Sequence, residues 1–458
     1  MKQLDPGKLT SVDENGDRLT IIPAEVRGKF RKYRNYVQGV LLAVFMLLPW
    51  TTMNGRQTIW LNIPDREFAL FGIFFKAHDA PLMFFILAIL TLGLAFVTSI
   101  WGRVWCGWAC PQTVFIDAVF RRIEQWTEGN YLERRRLRES LTPERLRKSG
   151  LKWVLFFIAS SLIAHSFLAY FVGAKELVAM MQISPSENLT YFFLVTIFTA
   201  LILFDFAWFR EQFCVIMCPY GRIQSLLLDS KSLSVVYDVK RGEPRRGLSS
   251  TQPAGDCVSC NRCVQACPTG IDIRNGLQME CIACTACMDA CDEIMEKVHK
   301  PKGLIRYNTL DGSKLTLKRP RSLIYIALIL LMVGGLSYSL ATREPLDWTI
   351  IRGQGLPYSF VKDEKGTELI LNQFKIHIQN QGQTDGLFEL SLSEKDKAQG
   401  LQLNLGENPL SLKTGENHEW YFFIKSDPKA LTSAQGKLKV TLQIKDLKAS
   451  PPVISKKA

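Results

Sequence analysis

Histidine is scarce in this sequence, with 5 residues in 458. His165 lies inside a long apolar run, whereas His78, His299, His377 and His418 lie outside such runs. A haem held within a membrane by two histidines needs a second intramembrane histidine, so a haem-binding membrane subunit is disfavoured. We therefore expect His165 to have a packing role in its helix.

Nucleotide-binding motifs are absent. The sequence has no GxxxxGK[ST] phosphate loop and no GxGxxG turn, the patterns that hold nucleotide phosphates at helix N-termini. Electrons are therefore not expected to come from a nicotinamide cofactor bound to this chain. A cleavable signal peptide is not visible either, because the first 35 residues are polar and charged.

Long apolar runs, in contrast, are plentiful. A helix needs about 20 apolar residues to cross a bilayer, and five runs reach this length. The shorter run 67–75 (EFALFGIFF) is expected to lie at the membrane interface or to re-enter the membrane. The five predicted spans are 36–54, 81–101, 152–172, 189–209 and 322–341.

The basic residues predict the orientation of these spans. The formal net charge is +13, but no recognition motif accompanies it, so a nucleic-acid partner is not expected. Basic residues crowd the segment before the first span and the loop after the second, whereas the loop between the third and fourth carries only Lys175. By the positive-inside rule the N-terminus, 102–151 and 210–321 are predicted to be cytoplasmic, and 342–458 to lie outside.

Eight of the 12 cysteines fall within residues 257–291, in two copies of the spacing C-x2-C-x2-C-x3-C. This spacing is typical of a pair of 4Fe–4S clusters, in which the fourth cysteine of each run binds the other cluster. Zinc sites usually need only paired C-x2-C motifs, and a disulfide framework does not suit a reducing compartment. The predicted ligands are Cys257, Cys260, Cys263 and Cys291 for cluster I, and Cys281, Cys284, Cys287 and Cys267 for cluster II.

The two cysteine motifs end differently. Pro268 comes directly after the first run, whereas Asp292 comes directly after the second. Only 13 residues separate Cys267 from Cys281, so the connecting element of an ordinary ferredoxin is expected to be shortened.

A second cysteine repeat follows the second and fourth spans. Cys106 and Cys110 precede Pro111, and Cys214 and Cys218 precede Pro219, each in the pattern C-x3-C-P. If each segment stays helical, its two thiols lie on one face about 5–6 Å apart at Cβ. Four thiols at one membrane surface make a candidate copper or redox site, with Met217 as a further soft ligand.

Several alternatives stay open for this repeat. An additional iron–sulfur cluster, zinc, inert packing of the thiols and docking of the cluster domain by the Cys-Pro turns all fit the pattern. Asp205, near the end of the fourth span, is a candidate for proton relay or quinol contact. Its solvation at the membrane boundary explains it equally well.

The last 110 residues change in character. Short runs alternate apolar and polar residues and are separated by turn formers, which predicts an antiparallel, immunoglobulin-like β-sandwich. This part contains no cysteine, and we interpret it as a docking module or a structural cap. The predicted strands lie in 374–381, 387–394, 401–407, 419–426 and 437–446.

The predicted fold is therefore a polytopic α-helical membrane protein with five transmembrane helices, a cytoplasmic ferredoxin-like domain and a C-terminal periplasmic immunoglobulin-like domain. The predicted divisions are a cytoplasmic segment 1–35, a four-helix membrane domain 36–229, a cluster domain 230–321, a fifth transmembrane helix 322–341 and the β-sandwich 342–458.

The motifs WCGWACPQTVFID, CVIMCPYGRIQS and CVSCNRC…CMDACDEIM, with GLIRYNTLDG after them, resemble the FixG/RdxA/CcoG family over nearly the whole chain. This resemblance implies a bacterial inner-membrane iron–sulfur protein needed to assemble a cbb-type cytochrome c oxidase. The implied activity is reduction of Cu(II) to Cu(I) for delivery to the oxidase. Implied partners are membrane lipid, oxidase assembly factors or a copper chaperone, and an electron donor that the sequence does not name.

Two other functions compete with this one. Similar C-x3-C-P and ferredoxin parts occur in membrane subunits that oxidise quinol, so the chain is alternatively a quinol-oxidising electron-transfer subunit. A third hypothesis is a non-enzymatic assembly scaffold whose clusters only stabilise the fold. Enzymatic activity as a cupric reductase is thus an expectation drawn from the resemblance.

Overall fold

The structure is a computed structural model, and the chain divides into two compact units, Met1–Ser337 and Tyr338–Ala458. We describe each unit separately. The described residues are 21–53, 55–75, 79–139, 141–246, 254–342, 346–353, 358–362, 368–380, 385–413, 416–426, 439–448 and 454–457.

The first helix, α1 (Lys29–Leu47), overlaps the first predicted span but does not match it. Its first turns are basic, and its Arg34 and Gln38 side chains are buried within the protein. The helix gives way to a 3₁₀ turn at Leu48–Trp50. Helix α1 is not among the described helices long and apolar enough to cross a membrane, so the prediction of five spans is not confirmed.

Short antiparallel strands follow α1. A two-stranded ribbon is formed by β1 (Thr52–Met53) and β2 (Arg56–Gln57). A three-stranded sheet comes next, with β3 (Ile59–Asn62), β4 (Glu67–Leu70) and β5 (Ile73–Phe75) in sequential order. The run 67–75 is therefore a β-hairpin, in which Phe71 and Gly72 adopt φ values of 50° and 82° and close a two-residue turn.

The membrane region of the chain is helical. Four described helices are long and apolar enough to cross a membrane: Pro81–Trp101, Pro143–Val172, Leu189–Phe209 and Pro320–Ala341. These coincide with the second to fifth predicted spans, and they make the chain a membrane protein. The helices up to the fourth predicted span are α2 (Ala80–Trp101), α3 (Val104–Trp108), α4 (Pro111–Phe115), α5 (Arg121–Glu128), α6 (Tyr131–Glu139), α7 (Pro143–Val172), α8 (Ala174–Met181) and α9 (Leu189–Leu203).

Three π-helical segments interrupt this region, at Ile116–Phe120, Phe204–Phe209 and Phe213–Met217. The segment Phe204–Phe209 extends α9 to the end of its apolar run. The packed centre of the helices lies between α4, α5, α7 and the π segments, where Phe120, Phe156 and Phe206 are buried. Such π segments are frequent at functional sites.

The cluster region is closed by a β-ribbon. Strands β6 (Leu233–Tyr237) and β7 (Ile305–Thr309) pair antiparallel from Leu233–Thr309 to Tyr237–Ile305, so the chain enters and leaves the region side by side. Its helices are short because the cysteine runs are largely loops. The remaining helices of this unit are α10 (Pro219–Leu227), α11 (Val239–Gly242), α12 (Arg262–Gln265), α13 (Ala286–Lys297) and α14 (Pro320–Ala341).

The second unit is a sandwich of two antiparallel sheets. One has the order β12-β14-β10-β8, with β9 also on β10, and the other has the order β13-β11-β15-β16. Alternate residues point inward, as in β11, and bury a core that includes Trp348, Ile376 and Phe422. The elements are β8 (Leu346–Arg352), β9 (Ser359–Lys362), β10 (Glu368–Asn380), β11 (Gly386–Leu392), α15 (Glu394–Ala398), β12 (Gln402–Leu405), β13 (Leu410–Leu412), β14 (Asn417–Ser426), β15 (Leu442–Asp446) and β16 (Ile454–Lys457). The predicted β-sandwich is confirmed.

Candidate iron–sulfur and membrane thiol site

The structure brings Cys291 to the thiols of the first cysteine run. Burial raises the pKa of Cys291 to about 12, and the charges of Cys263, Cys260 and Cys257 act in the same direction. Cys291 belongs to α13 at the end of the second run, and its assignment to cluster I stays a prediction. The four residues predicted to hold cluster I therefore lie together.

The four residues predicted to hold cluster II line one cavity of about 360 Å³. Its other walls are mainly apolar and include Val235, Ile271 and Ile273. Cys267 reaches this cavity from the first motif, where its Sγ lies 3.3 Å from Thr269 Oγ1. The cavity cysteines are Cys267, Cys281, Cys284 and Cys287, together with Cys263 of the other set.

The donor chemistry of both sets fits 4Fe–4S clusters. Each set offers four cysteine sulfurs, the ligands that these clusters take in ferredoxins. Among the described residues, no three His, Cys, Asp or Glu side chains are close enough to hold a single metal ion. A four-iron core spreads its ligands over four separate irons, so it does not need such a group. The individual ligand assignments stay predictions.

Cys281 and Cys287, two of the residues predicted to hold cluster II, have raised pKa values. Burial raises the pKa of Cys281 to about 12, and the pKa of Cys287 is also raised well above its ordinary value, chiefly by burial. Thiolates are the ligand form, so metal binding here releases protons.

Helix α1 packs against the loop that contains Cys281 and Cys284, which we call the cluster II loop. The buried Arg34 donates from Nη1 to the carbonyl oxygen of Cys284. Asp289, on α13, accepts from the backbone N–H groups of Phe30 and Arg31 at 3.2 and 2.7 Å, and so caps the N-terminus of α1. Gly28 precedes the helix, and a Cβ there would clash with the Asp289 carboxyl.

Asp117, in the first π segment, holds three guanidinium groups beside this loop. Arg31 Nη1 lies 3.1 Å from Oδ2 and Arg121 Nη1 lies 2.8 Å from Oδ1, and Arg34 also contacts the carboxylate. Arg121 has a second acidic partner in Glu211. Three arginines and the carboxylates that pair with them therefore lie next to the cysteines of cluster II.

Both membrane cysteine pairs have the same backbone pattern. A left-handed residue stands four positions before the first cysteine, at Gly102 (φ 59°) and Arg210 (φ 53°). Cys110 and Cys218 are extended, with ψ of 128° and 111°, and each caps a new helix that begins at proline. The condition that each C-x3-C segment stays helical is therefore not met, because the helix ends before the second cysteine and a new one begins at the proline.

The membrane thiols are neighbours without forming a closed metal site. The thiol of Cys106 donates to Gln224 Oε1 at 3.3 Å. Burial raises the pKa of Cys106 to about 11, and Cys110 adds to this effect. Burial also raises the pKa of Cys214, with the charge of Cys110 as the next cause. No three of these thiols meet as ligands of one ion in the described chain.

The segment that contains Cys106 and Cys110 contacts the cluster II loop directly through Gly107. Gly107, next to Cys106, packs so closely that a Cβ would lie 2.6 Å from the carbonyl oxygen of Ile282 and 2.7 Å from that of Ala283. Ile282 and Ala283 are the two residues between Cys281 and Cys284. The membrane thiols and the predicted ligands of cluster II therefore belong to one packed layer.

Three polar side chains stabilise this contact. Trp108 Nε1 donates to the Tyr307 hydroxyl at 3.2 Å, and that hydroxyl donates to the Ala283 carbonyl at 3.2 Å. Arg103 contacts both α10 and the cluster II loop. It donates from Nη2 to the Gly221 carbonyl at 2.7 Å and from Nη1 to the Cys281 carbonyl at 3.3 Å. The arginine thus links the loop to both cysteine–proline turns.

The two weaker candidates have structural partners. His165 Nδ1 lies 2.7 Å from the Ser161 carbonyl oxygen one turn earlier in α7, which suits the packing role expected for it. Asp205 accepts from Gln112 Nε2 at 2.9 Å. Arg34 and Arg103 were not predicted as site residues, because basic residues at membrane ends were interpreted only as orientation signals. The close approach at Gly107 was not predicted either, because it joins residues far apart in the chain.

Comparison with known proteins agrees with this site. The family model described as a 4Fe–4S dicluster domain matches residues 209–310, and a second model, a 4Fe–4S binding domain, matches 82–130. A third, the Ig-like fold at the C-terminus of FixG, matches 336–457. The fold and the site define a membrane-bound iron–sulfur electron-transfer protein of ferredoxin type. The match at 82–130 includes Cys106 and Cys110, and none of these models supports copper binding there.

Three curated relatives are similar over most of the chain. RdxB of Cereibacter sphaeroides is 33% identical over 84% of this chain and 84% of its own length. RdxA of the same organism is 36% identical over 65% of this chain and 64% of its own length. FixG of Rhizobium meliloti is 34% identical over 64% of this chain and 58% of its own length. The chain belongs to the FixG/Rdx family.

Proposed function

We propose that this protein reduces Cu(II) to Cu(I) and supplies the reduced ion during assembly of a cbb-type cytochrome c oxidase. The observation that carries the proposal is the contact of Gly107, beside Cys106, with the backbone between Cys281 and Cys284. It leaves a single packed layer between the predicted cluster II ligands and the membrane thiols.

Each Cu(II) takes up one electron and becomes Cu(I). When bound, the two clusters supply single electrons of this kind. The chain's own residues keep the donor and acceptor regions in contact: Gly107 permits the close approach, and Arg103 fixes it. Thiols are soft ligands that favour Cu(I) over harder ions, so the membrane pairs are suited to receive the product.

The proposal places the chain in the bacterial inner membrane, with the N-terminus and cluster domain in the cytoplasm and the β-sandwich in the periplasm. The basic loops support this orientation. In this arrangement the β-sandwich docks an oxidase assembly factor or a copper chaperone, and an external reductant supplies the electrons.

The test is a single-turnover experiment without oxygen. The purified full-length protein is reduced with dithionite and freed of excess reductant, and then Cu(II) is added with a chromogenic Cu(I) chelator. We expect the cluster absorbance to return to its oxidised form as Cu(I) appears, with one Cu(I) formed for each electron lost. The variants Cys106→Ser and Cys214→Ser are expected to slow this reaction at least tenfold, because each removes a soft ligand.

Ala109→Ser is the matched control, since it places a hydroxyl in the same segment and keeps both thiols. If the reduced protein is not oxidised by Cu(II) but is oxidised by a quinone, the proposal is overturned in favour of quinone chemistry. Reduced protein that reacts with neither acceptor would overturn it in favour of a scaffold.

A further inference from the structure

The connector between the two cysteine runs ends in an apolar surface. After a 3₁₀ turn at Ile273–Asn275, Leu277 is 39% exposed and Met279 is 63% exposed. Gln278, between them, donates from Nε2 to the Asp272 carbonyl oxygen at 2.8 Å. The polar side chain therefore holds the connector in place, while the two apolar side chains are left at the surface.

Arg103 fixes this surface at the end of a membrane helix. Helix α2 ends at Trp101, two residues before Arg103. Arg103 donates from Nη1 to the Cys281 carbonyl oxygen at 3.3 Å and also contacts the Met279 carbonyl oxygen. Trp101 is itself exposed, and tryptophan is enriched where membrane helices meet water. The end of the connector therefore lies at the level of the membrane boundary.

Helix α10 continues the apolar surface. Arg103 joins this helix to the connector, because its Nη2 lies 2.7 Å from the Gly221 carbonyl oxygen. Further along α10, Ile223 is exposed and Leu226 is 79% exposed. Arg321, in the first turn of α14, donates from Nη2 to the Leu226 carbonyl oxygen at 3.4 Å. The apolar side chains of α10 thus lie beside the start of another membrane helix, and exposed apolar patches mark contact with a membrane or a protein.

A cavity of about 630 Å³ opens between the connector and these helices. Leu277 and Met279 form part of its wall, and Leu228, directly after α10, forms another part. Arg103 is the only charged residue among the described residues that line it. Apolar cavities of this kind stay free of water and take up apolar molecules. The other lining residues are Ser234, Val235, Gln278, Cys281 and Ala283, so the cavity borders the cluster II loop.

We propose that this connector anchors the cluster domain to the bilayer. Leu277 and Met279 enter the lipid interface, and a lipid acyl chain occupies the cavity beside Cys281. Bilayer lipid is the occupant because the apolar surface is continuous with the ends of α2 and α14, which are long and apolar enough to cross a membrane. Apolar side chains at this level bind a membrane in proportion to the apolar area that they bury. The anchor holds the cluster II loop at the membrane and is independent of the proposed copper chemistry.

The experiment uses the full-length protein, with its clusters, in nanodiscs of phosphatidylcholine and phosphatidylglycerol that also contain ubiquinone. The photo-cross-linking residue p-benzoylphenylalanine replaces Met279, and in a second variant it replaces Leu277. After illumination, mass spectrometry identifies what is attached to the peptide that contains the new residue. We expect phospholipid attached through its acyl chain at both positions, in at least tenfold excess over the control. No copper is added, so the result does not depend on the proposed function.

The matched control places the same residue at Val239, an apolar side chain of α11 that is 58% exposed. This helix lies beside the first cysteine run, because its Arg241 pairs at 2.5 Å with Asp256, next to Cys257. Thermal unfolding and iron content show that each variant is folded.

Three results would overturn the proposal. They are equal lipid attachment at Met279 and Val239, no lipid attachment at Met279 or Leu277, and attachment to a second protein chain in place of lipid. Attachment of ubiquinone in place of phospholipid would assign the cavity to a quinone and would overturn the lipid assignment.

Discussion

The two cysteine runs have the same backbone but different surroundings. In each run the residues on both sides of the second cysteine are left-handed: Ser259 and Asn261 at φ 56° and 57°, and Ala283 and Thr285 at 52° and 64°. Cys260 is exposed at the protein surface, whereas Cys284 is buried under Arg34 of α1. Spacing thus sets the local geometry, and tertiary contacts distinguish the two motifs.

The first run reaches solvent at Cys260, and its nearby charges pair with one another, as Arg274 does with Asp272 at 2.7 Å. The second run is covered by the membrane part of the chain and by arginines. Under the proposed function, electrons enter at the exposed first run and leave at the covered second run toward the thiols.

The largest expected effect comes from exchanging the fourth cysteines for serine. If the fourth cysteine of each run serves the other cluster, Cys291→Ser removes cluster I and Cys267→Ser removes cluster II. Iron content should fall from about eight to about four atoms per chain in each variant. Electron paramagnetic resonance then shows which signal remains. Loss of the same signal in both variants would contradict the crossed assignment.

A smaller effect is expected from Gly107→Ala. The new Cβ meets two backbone carbonyl oxygens at 2.6 and 2.7 Å, so the Cys106 segment must move away from the cluster II loop. Overpacking of this kind typically costs about 1–3 kcal/mol of unfolding free energy. Thermal unfolding measures this cost, and the single-turnover copper reaction should also slow.

Gly93→Ala is the control for this change. A Cβ at Gly93 meets nothing within 4 Å, so stability and rate should stay near those of the unchanged protein. Equal behaviour of the two alanine variants would mean that the close approach at Gly107 does not matter.

The smallest effect is expected from Arg34→Gln. Burial lowers the pKa of Arg34 to about 10, so the guanidinium is still charged at neutral pH and favours the more negative, reduced state of a nearby cluster. Loss of this charge beside the Cys284 carbonyl is therefore expected to lower the potential of cluster II more than that of cluster I. A redox titration followed by electron paramagnetic resonance measures the potentials of both clusters.

Arg122→Gln removes the same charge from α5 and serves as the control. Its side chain does not donate to the Cys284 carbonyl, so the shift in cluster II should be much smaller. Equal lowering of both cluster potentials by Arg34→Gln would contradict the proposed difference between the two runs.

The sequence predicted most of the elements but little of their contacts. Apolar length identified four of the membrane helices, and period-two alternation identified the β-sandwich, because both signals are local. The first predicted span is not confirmed, and α1 buries the polar Arg34 and Gln38 in protein contacts. Hydropathy does not distinguish such a helix from one that faces lipid.

The site was predictable only where spacing carries the information. The two cysteine runs and the two C-x3-C-P pairs were visible as repeats, but their contact through Gly107 and Ile282 joins residues far apart in the chain. The break before Cys110 and Cys218 was also missed. A proline forces the residue before it toward extended backbone, so the Cys-Pro step itself was the signal for this break.

The cap that Asp289 places on α1 has a consequence for the order of biogenesis. The backbone amide of Arg31 and its carboxylate partner are 258 residues apart. At a synthesis rate of about 5–20 residues per second, α1 waits on the order of tens of seconds for the residue that completes it. Since Asp289 lies between two predicted cluster ligands, the cap on α1 is completed only after most of the cluster region has been synthesised.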